Sequence, residues 1–277
     1  MKFVDITNDI AFRKIFGNDN KKKTLISFLN AVLNFPINKQ IVDVEITNPY
    51  QLGILSGSKS TIVDVKAKDK EGNVFIVEMQ ISEQAHFTKR ILYYASQCYV
   101  AQIDKGHKYG NLRPVYFIGI LEFEFGSNPN YYTRQFVIDV ETKEHLIQDI
   151  EFHFISLPRF KKSKDELKTS IDHWTYFIKN AENLDVIPES VLDEGLKEAY
   201  IEANEYNWTN LELDDYLRAS LKEQDDLGRI ELAEERAVKR GMEKEKIEIA
   251  KKMKEQNFSI ETIILLTGVS IEELNSL

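Results

Sequence analysis

Apolar residues near the start of the chain recur with helical spacing. In the segment 8–16 the apolar positions include Ile10, Ile15 and Phe16, and the segment 21–33 repeats the pattern from Leu25 to Leu33. Residues three and four positions apart share one face of an α-helix, so the pattern predicts two amphipathic helices.

Beyond residue 40 the period changes to two. Val44 and Ile46 alternate with Asp43 and Glu45, which is typical of a half-buried strand. Further strands are predicted at 61–69, 74–81, 114–121, 135–140 and 151–155, with a long helix at 82–103 between the second and third of them. The run at 114–121 is almost continuously apolar, which indicates a central strand covered on both faces.

The last part of the chain has a helical pattern throughout. Helices are predicted at 164–180, 188–206 and 211–255, and the third mixes charges of both signs, as a solvated helix with a narrow packing stripe does. The segment 259–277 is predicted to form two short helices divided at Thr267-Gly268, with Ser270 and Glu273 as the capping box of the second. We therefore expect a mixed α/β part at 1–160 and a helical part at 161–277.

Composition and charge narrow the functional classes. Cys98 is the only cysteine, which excludes an intrachain disulfide and a thiolate zinc site and favours a reducing, cytoplasmic setting. No apolar run approaches the roughly 18 residues of a membrane helix, and the first residues lack the apolar stretch of a signal peptide, so no membrane partner is expected. The net charge of −9 argues against a protein that coats nucleic acid, although an enzyme needs only a local basic surface.

The two predicted strands on either side of Gly72 carry the candidate catalytic residues. Alternation places their odd-numbered apolar residues on one face and the polar residues Asp64, Lys66, Glu78 and Gln80 on the other. This parity excludes a two-residue turn and is satisfied by a three-residue loop at 71–73. The resulting register pairs Lys66 with Glu78 and Asp64 with Gln80, so that Asp64 and Glu78 form a diagonal pair about 7–8 Å apart.

Two carboxylates on adjacent strands suit a divalent ion. Asp64 and Glu78 can bind Mg²⁺ or Mn²⁺ through oxygen, and the ion can activate water and neutralise the charge of a phosphate. Gln80 would then orient the water or contact the phosphate, with Lys66 as the source of positive charge. The same alternation also fits a solvent-exposed hairpin in which Lys66 and Glu78 form a weak cross-strand ion pair.

Three segments together resemble a known nuclease family. The order of Asp64, a hairpin and Glu78-Met79-Gln80 resembles the PD-(D/E)XK motif in its (D/E)-x-Q variant. The opening at 7–17, Thr-Asn-Asp-Ile-Ala-Phe-Arg-Lys-Ile-Phe-Gly, and the segment 87–96 are similar to recombination-promoting nucleases of the Rpn family, which are also described as transposases. The resemblance covers roughly residues 1 to 160.

The resemblance implies a fold and an activity. The expected fold is α/β, with a restriction-endonuclease-like core (a mixed central sheet flanked by helices) and a helical C-terminal region. The expected activity is Mg²⁺-dependent (or Mn²⁺-dependent) endonucleolytic cleavage of DNA, linked to recombination or mobile elements. Asp64 and Glu78 would be the metal ligands, Gln80 would replace the usual lysine, and Asp9 matches an acid that the family often carries on its first helix. A helix N-terminal acid stabilised by the dipole is an equally good interpretation of Asp9.

Two further features leave alternatives open. Arg90, Tyr93, Tyr94 and Gln97 share one helix face, so Arg90 is either a DNA contact or the rim of a packing stripe. The segment 259–277 lacks a basic recognition helix, which favours packing or homo-oligomerisation over DNA reading. The alternatives to a nuclease are a binding or regulatory protein on an inactive nuclease fold, which Gln80 and the acidic charge favour, and a scaffold that binds partners through its helical tail.

Overall fold

The chain begins with two helices. A computed structural model describes residues 1–47, 50–51, 61–103, 106 and 108–276 of the chain, with residues 50, 51, 61 and 62 described by their backbone alone. Helix α1 (Asp9–Phe16) starts at Asn8, whose side-chain oxygen accepts the N–H groups of the first turn. Helix α2 (Lys22–Leu33) ends at Asn34 in the left-handed conformation. Both predicted helices are confirmed.

In the described part of the chain, six strands form one mixed sheet. The strands of the chain are β1 (Val44–Ile46), β2 (Tyr50–Gln51), β3 (Thr61–Ile62), β4 (Val65–Asp69), β5 (Val74–Gln80), β6 (Val115–Leu121), β7 (Tyr132–Val137) and β8 (Ile147–Ser156). The sheet order is β1-β4-β5-β6-β8-β7, while β2 and β3 pair separately. The pairs β5–β6 and β6–β8 are parallel and the other pairs antiparallel. Helices flank this sheet, which confirms the predicted α/β class with a mixed central sheet.

The register of the β4–β5 hairpin differs from the predicted one. Lys66 pairs with Ile76 and Lys68 pairs with Val74, so five residues, 69–73, separate the last paired residues of β4 and β5, two more than predicted. The reason is local, because the Asp69 carboxylate accepts the backbone N–H and the side-chain amide of Asn73, at 2.8 and 2.7 Å. The predicted parity of the pairing is correct, but Glu78 no longer lies opposite Lys66.

Both faces of the sheet are covered around this hairpin. Val65 and Val77 belong to a core formed with α1 and α2, whereas Val74 and Ile76 belong to a second core. Helix α3 (Phe87–Val100) closes that second core with side chains that include Phe87 and Ile91. The polar face predicted for the hairpin is therefore not an open solvent face but is half covered by α3.

Two predicted boundaries near the site are wrong. The predicted strand at 61–69 is interrupted because the chain bends at Asp64, and Val63 packs into the core beneath α3. The predicted helix at 82–103 begins only at Phe87, because His86 has φ +65° and lies outside the helical region. Because of the bend and the late helix start, Asp64 and the segment 82–86 lie outside regular structure at the end of the hairpin opposite its loop.

Helices from the later part of the chain complete the first compact unit, Met1–Ala219. Helix α4 (Ser170–Asn180) and helix α5 (Glu194–Ala203) bury Trp174 and Tyr200 in the core that contains α2. The predicted division of the chain after residue 160 stays a prediction.

The second compact unit, Ser220–Leu277, is helical, and its last residue, Leu277, lies outside the described residues. Helix α6 (Asn210–Glu255) continues into it from the first unit, followed by α7 (Ile260–Thr267) and α8 (Ile271–Ser276). Gly268 ends α7 with φ +67°, and Ser270 and Glu273 form the predicted capping box. A small core unites the three helices through Ala250, Ile263, Val269 and Leu274.

Candidate active site

Two acidic side chains meet at the end of the β4–β5 hairpin. The Asp64 carboxylate accepts the backbone N–H of Met79 through Oδ2, at 2.9 Å. The Glu78 carboxylate accepts the backbone N–H of Asp64 through Oε2, at 3.2 Å. Each acid is thus held by the strand segment that carries the other, and the sheet backbone sets the position of both.

The second acid is strongly perturbed by its surroundings. Burial, and to a smaller extent the nearby charge of Asp64, raise the pKa of Glu78 to about 8, although the hydrogen bond from the Asp64 backbone and the charges of Arg90 and Arg13 act in the opposite direction. Two close carboxylates in a partly dehydrated site cannot both carry full charge without a counter-ion. The pair therefore has a high affinity for a proton or for another cation.

A guanidinium already contacts the first acid. Arg13 of α1 donates to Oδ1 of Asp64 from Nη2 at 2.8 Å and from Nε at 3.3 Å. The Asp64 side chain is 9% exposed, whereas the Arg13 side chain is 47% exposed. Burial lowers the pKa of Arg13, but the charges of Asp64, Asp9 and Glu78 outweigh this effect and raise it. Arg13 is therefore a permanent positive charge at the rim of the acidic pair.

Gln80 and Arg90 form the other side of the site. Gln80 is buried, donates from Nε2 to the backbone oxygen of Ser82 at 3.1 Å, and accepts a hydrogen bond from the Arg90 guanidinium. Arg90 also donates to Gln84 and lies over the ring of Phe87, 5.6 Å from its centroid. Arg90, which the sequence predicted as a possible DNA contact, therefore points into the site, where its charge lowers the pKa of Glu78.

The remaining predicted residues lie at the edges of this arrangement. Lys66 is half-buried on β4, and among the described residues no carboxylate lies within ion-pair distance of its ammonium, so the alternative ion pair with Glu78 is not formed. Asp9 is exposed in the first turn of α1, four residues before Arg13. Within the described ranges, no three side chains of His, Cys, Asp or Glu are grouped so that they could hold a metal ion. Asp9 thus lies near Arg13 and does not join Asp64 and Glu78 as a third possible metal ligand.

Sequence reasoning missed two contributors to the site. Arg13 carried no predicted role, although its position one helical turn after Asp9 was a usable signal. Tyr94 was assigned only to a helix stripe, yet burial and the charges of Glu78 and Asp64 raise its pKa while Arg90 lowers it, so its hydroxyl belongs to the same electrostatic environment.

Comparison with known proteins identifies a relationship for most of the chain. A family model described as PD-(D/E)XK nuclease family transposase matches residues 6–233. No curated protein and no solved structure gives a significant match. The match covers Asp64, Glu78 and both flanking arginines, and it confirms the nuclease-family resemblance of the sequence. Among the described residues, none of the helices combines the length and the apolar composition that a bilayer crossing requires.

Proposed function

Because the chain belongs to the PD-(D/E)XK nuclease family transposases, we propose that it is a metal-dependent DNA endonuclease with Asp64 and Glu78 at its centre. The observation that carries the proposal is the contact of each acid with the backbone of the other's strand. Family membership supports a nuclease or a transposase-related activity, and the acidic pair supports hydrolysis of a phosphodiester. Recombination or a mobile element is the setting that we propose for this activity.

The residues fit a divalent cation. Both acids offer hard carboxylate oxygens, which Mg²⁺ and Mn²⁺ prefer. Burial and mutual repulsion hold the pKa of Glu78 near 8, so the pair is short of positive charge. When bound there, Mg²⁺ or Mn²⁺ would supply Lewis-acid charge for phosphodiester hydrolysis.

The neighbouring side chains supply the other requirements of the reaction. In this site Gln80 stands where the family motif has lysine, and its neutral amide can donate a hydrogen bond but supplies no positive charge. Arg90 donates to that amide and lies near Glu78, so we assign the missing positive charge to Arg90. Lys66 is half-buried on β4, on the face of the hairpin that carries Glu78. We assign it as a second cation that contacts the DNA backbone.

Cleavage of supercoiled plasmid with Mg²⁺ or Mn²⁺ tests the proposal. The variants Asp64→Asn and Glu78→Gln keep the side-chain shape but replace a carboxyl group that could bind the metal with a neutral amide, and we expect at least a hundredfold loss of rate, which is about the cost of removing a charge-stabilising group. Asp43→Asn is the matched control, because Asp43 is a half-exposed acid whose partner is Lys70 at 3.8 Å. Wild-type rates in the Asp64 and Glu78 variants would refute the site assignment.

An inactive nuclease fold is the second candidate function. Arg13 neutralises Asp64 within the protein itself, and Gln80 replaces the lysine of the motif. Both features favour a regulatory or binding protein that has lost catalysis but retained DNA binding. A wild-type protein that binds DNA and cuts neither plasmid nor single strands with either metal would support this alternative.

The second unit supports a proposal of homo-oligomerisation. Helix α7 buries Ile263 in its small core, while Leu265 and Leu266 are 84% and 67% exposed. The two leucines add adjacent apolar surface to this helix, and contiguous apolar surface is what marks protein interfaces. Sedimentation of the wild type against Leu265→Glu/Leu266→Glu tests this, and an unchanged mass would refute it. We also propose a cytoplasmic setting, because a chain with Cys98 as its single cysteine has no intrachain disulfide, as is usual in reducing compartments.

A further inference from the structure

We propose that Arg13 is the internal counter-ion of the acidic pair, that a divalent cation displaces it from Asp64, and that the released guanidinium binds a DNA phosphate. This inference rests on the proposed nuclease function for its second half only. The displacement from Asp64 concerns the protein and a metal ion, and it can be tested without DNA.

The contact between Arg13 and Asp64 is one-sided. A guanidinium usually pairs with both oxygens of a carboxylate in a two-pronged arrangement. Here both nitrogens of Arg13 reach Oδ1, at 2.8 and 3.3 Å, because Oδ2 is bonded to the N–H of Met79 at 2.9 Å. The oxygen that Arg13 contacts is therefore the one on which a cation would compete with it.

The two partners differ in their freedom to move. Asp64 is 9% exposed and is tied to the sheet by its own backbone and by its side chain, whereas Arg13 is 47% exposed on the surface of α1. Because the Arg13 side chain is half-exposed, water and salt screen its charge and weaken the ion pair. Displacement thus requires the arginine to turn into solvent while the carboxylate stays in place.

A released Arg13 has a chemical use at this position. It is a permanent cation beside a site whose carboxylates would repel DNA, in a chain with a net charge of −9. Guanidinium groups bind phosphate through two parallel hydrogen bonds, which a lysine cannot do. The Arg13 side chain, which pairs with Asp64 in the absence of metal, would then bind the substrate when the metal is present.

The first experiment measures Mn²⁺ binding to the full-length protein without DNA, from the electron paramagnetic resonance signal of free Mn²⁺. We expect Arg13→Gln to bind Mn²⁺ roughly fivefold more tightly, the equivalent of a weak ion pair. The control Arg134→Gln removes the same charge from β7, at the sheet edge beyond β8, and should change the affinity less than about twofold. Arg13→Lys retains a cation and should resemble the wild type.

The second experiment measures DNA affinity by fluorescence anisotropy with Ca²⁺ in place of the catalytic metal. We expect Arg13→Gln to bind roughly tenfold more weakly and to lose about one unit of salt dependence, since one phosphate contact is removed. Arg13→Lys should recover the salt dependence but only part of the affinity. A residue with a purely structural role would not change the two affinities in opposite directions.

The outcomes separate this inference from the nuclease proposal. Unchanged or weaker Mn²⁺ binding in Arg13→Gln would overturn the counter-ion role, and unchanged DNA affinity would overturn the phosphate contact. If the opposite shifts occur in a protein that cuts no DNA, the inference stands and the proposed activity fails. If the protein cuts DNA but neither affinity shifts, the activity stands and the inference fails.

Discussion

The Glu78 carboxylate accepts the backbone N–H of Asp64 at 3.2 Å. The Asp64 carboxylate in turn accepts the backbone N–H of Met79, the residue after Glu78, at 2.9 Å. This reciprocal arrangement brings two carboxyl groups together on the face of the hairpin that α3 partly covers. The arrangement costs free energy unless a proton, an arginine or a metal ion compensates the charge.

The first prediction concerns the pH dependence of stability. The pKa of Glu78 is raised to about 8, so the folded protein binds its proton more tightly than the unfolded chain does. This contribution is complete below the unfolded pKa near 4.5 and is lost as pH rises through about 8. Without metal, we expect the free energy of unfolding to fall by a few kcal/mol across this window, on the order of one per pKa unit.

Urea unfolding at pH 5 and pH 9 in the presence of EDTA measures this effect. Glu78→Gln cannot titrate, so its stability should change less between the two pH values than that of the wild type. An equal change in both proteins would contradict the assignment of the titration to Glu78.

The second prediction concerns variants that move the positive charge from position 90 to position 80. Gln80→Lys restores the residue of the family motif but places a cation against the Arg90 guanidinium, so we expect no gain in cleavage rate. Arg90→Gln should lower the rate roughly tenfold or more, and the double variant should recover most of the loss. Single-turnover cleavage rates measure all three, with Arg134→Gln as the control. A rate increase in Gln80→Lys alone would show that Arg90 does not supply the charge.

The third prediction tests the packing of α5 on α2. A Cβ atom on Gly195 would lie 2.5 Å from the backbone oxygen of Lys23 and 2.5 Å from Cβ of Ser27. Gly195→Ala should therefore cost about 2 kcal/mol of unfolding free energy, as overpacking does. Gly110→Ala is the matched control, because no heavy atom lies within 4 Å of its added Cβ.

Tryptophan fluorescence in urea measures these variants. Both tryptophans of the chain, Trp174 and Trp208, lie in the first unit, so the signal reports the unit that contains both glycines. An equal effect of the two substitutions would contradict the close approach of α5 and α2.

The fourth prediction concerns Asp172 of α4. Burial raises its pKa, but hydrogen bonds from Lys162, Tyr131 and the backbone N–H groups of Lys168 and Thr169 outweigh this effect and lower it. Its contribution is present at neutral pH and is lost as pH falls below the unfolded value near 4.

Asp172→Asn should unfold more easily at pH 7, by about 2 kcal/mol, because it loses charge-assisted hydrogen bonds. The difference from the wild type should shrink as pH falls below about 4, because the unfolded chain then binds a proton at Asp172 while the folded protein still keeps this acid charged. Acid titrations followed by circular dichroism measure this, and a difference independent of pH would refute it.

The elements that the sequence predicted well are those with a local signal. The spacing of Ile10, Ile15 and Phe16 predicts α1, and the Asn8 side chain caps it as its residue type favours. The continuous apolar run of β6 predicts its central position, which the parallel pairing on both sides confirms. Such signals depend on neighbours within a few residues, which the chain itself keeps close.

The register of the hairpin is a feature that the alternation of polar and apolar residues could not predict. Side-chain parity excluded odd shifts of the strands but could not distinguish Lys66 opposite Glu78 from Lys66 opposite Ile76, because the two registers have the same parity. The choice depends on whether Asp69 bonds to Asn73, which is a geometric property of the loop. The roles of Asp64, Glu78, Gln80 and Asp9 in catalysis stay predictions.

The sequence by itself determined the period of most elements, the presence of two acids on either side of the hairpin loop, and the family to which the chain belongs. The tertiary structure alone decided that Arg13, 51 residues before Asp64, contacts that acid, and that Arg90 of α3 bonds to Gln80. It also decided that α3 covers the polar face of the hairpin, which gives Glu78 its raised pKa. The reason is physical: periodicity reports which face of an element is buried, whereas contacts between side chains on separate elements depend on how those faces pack.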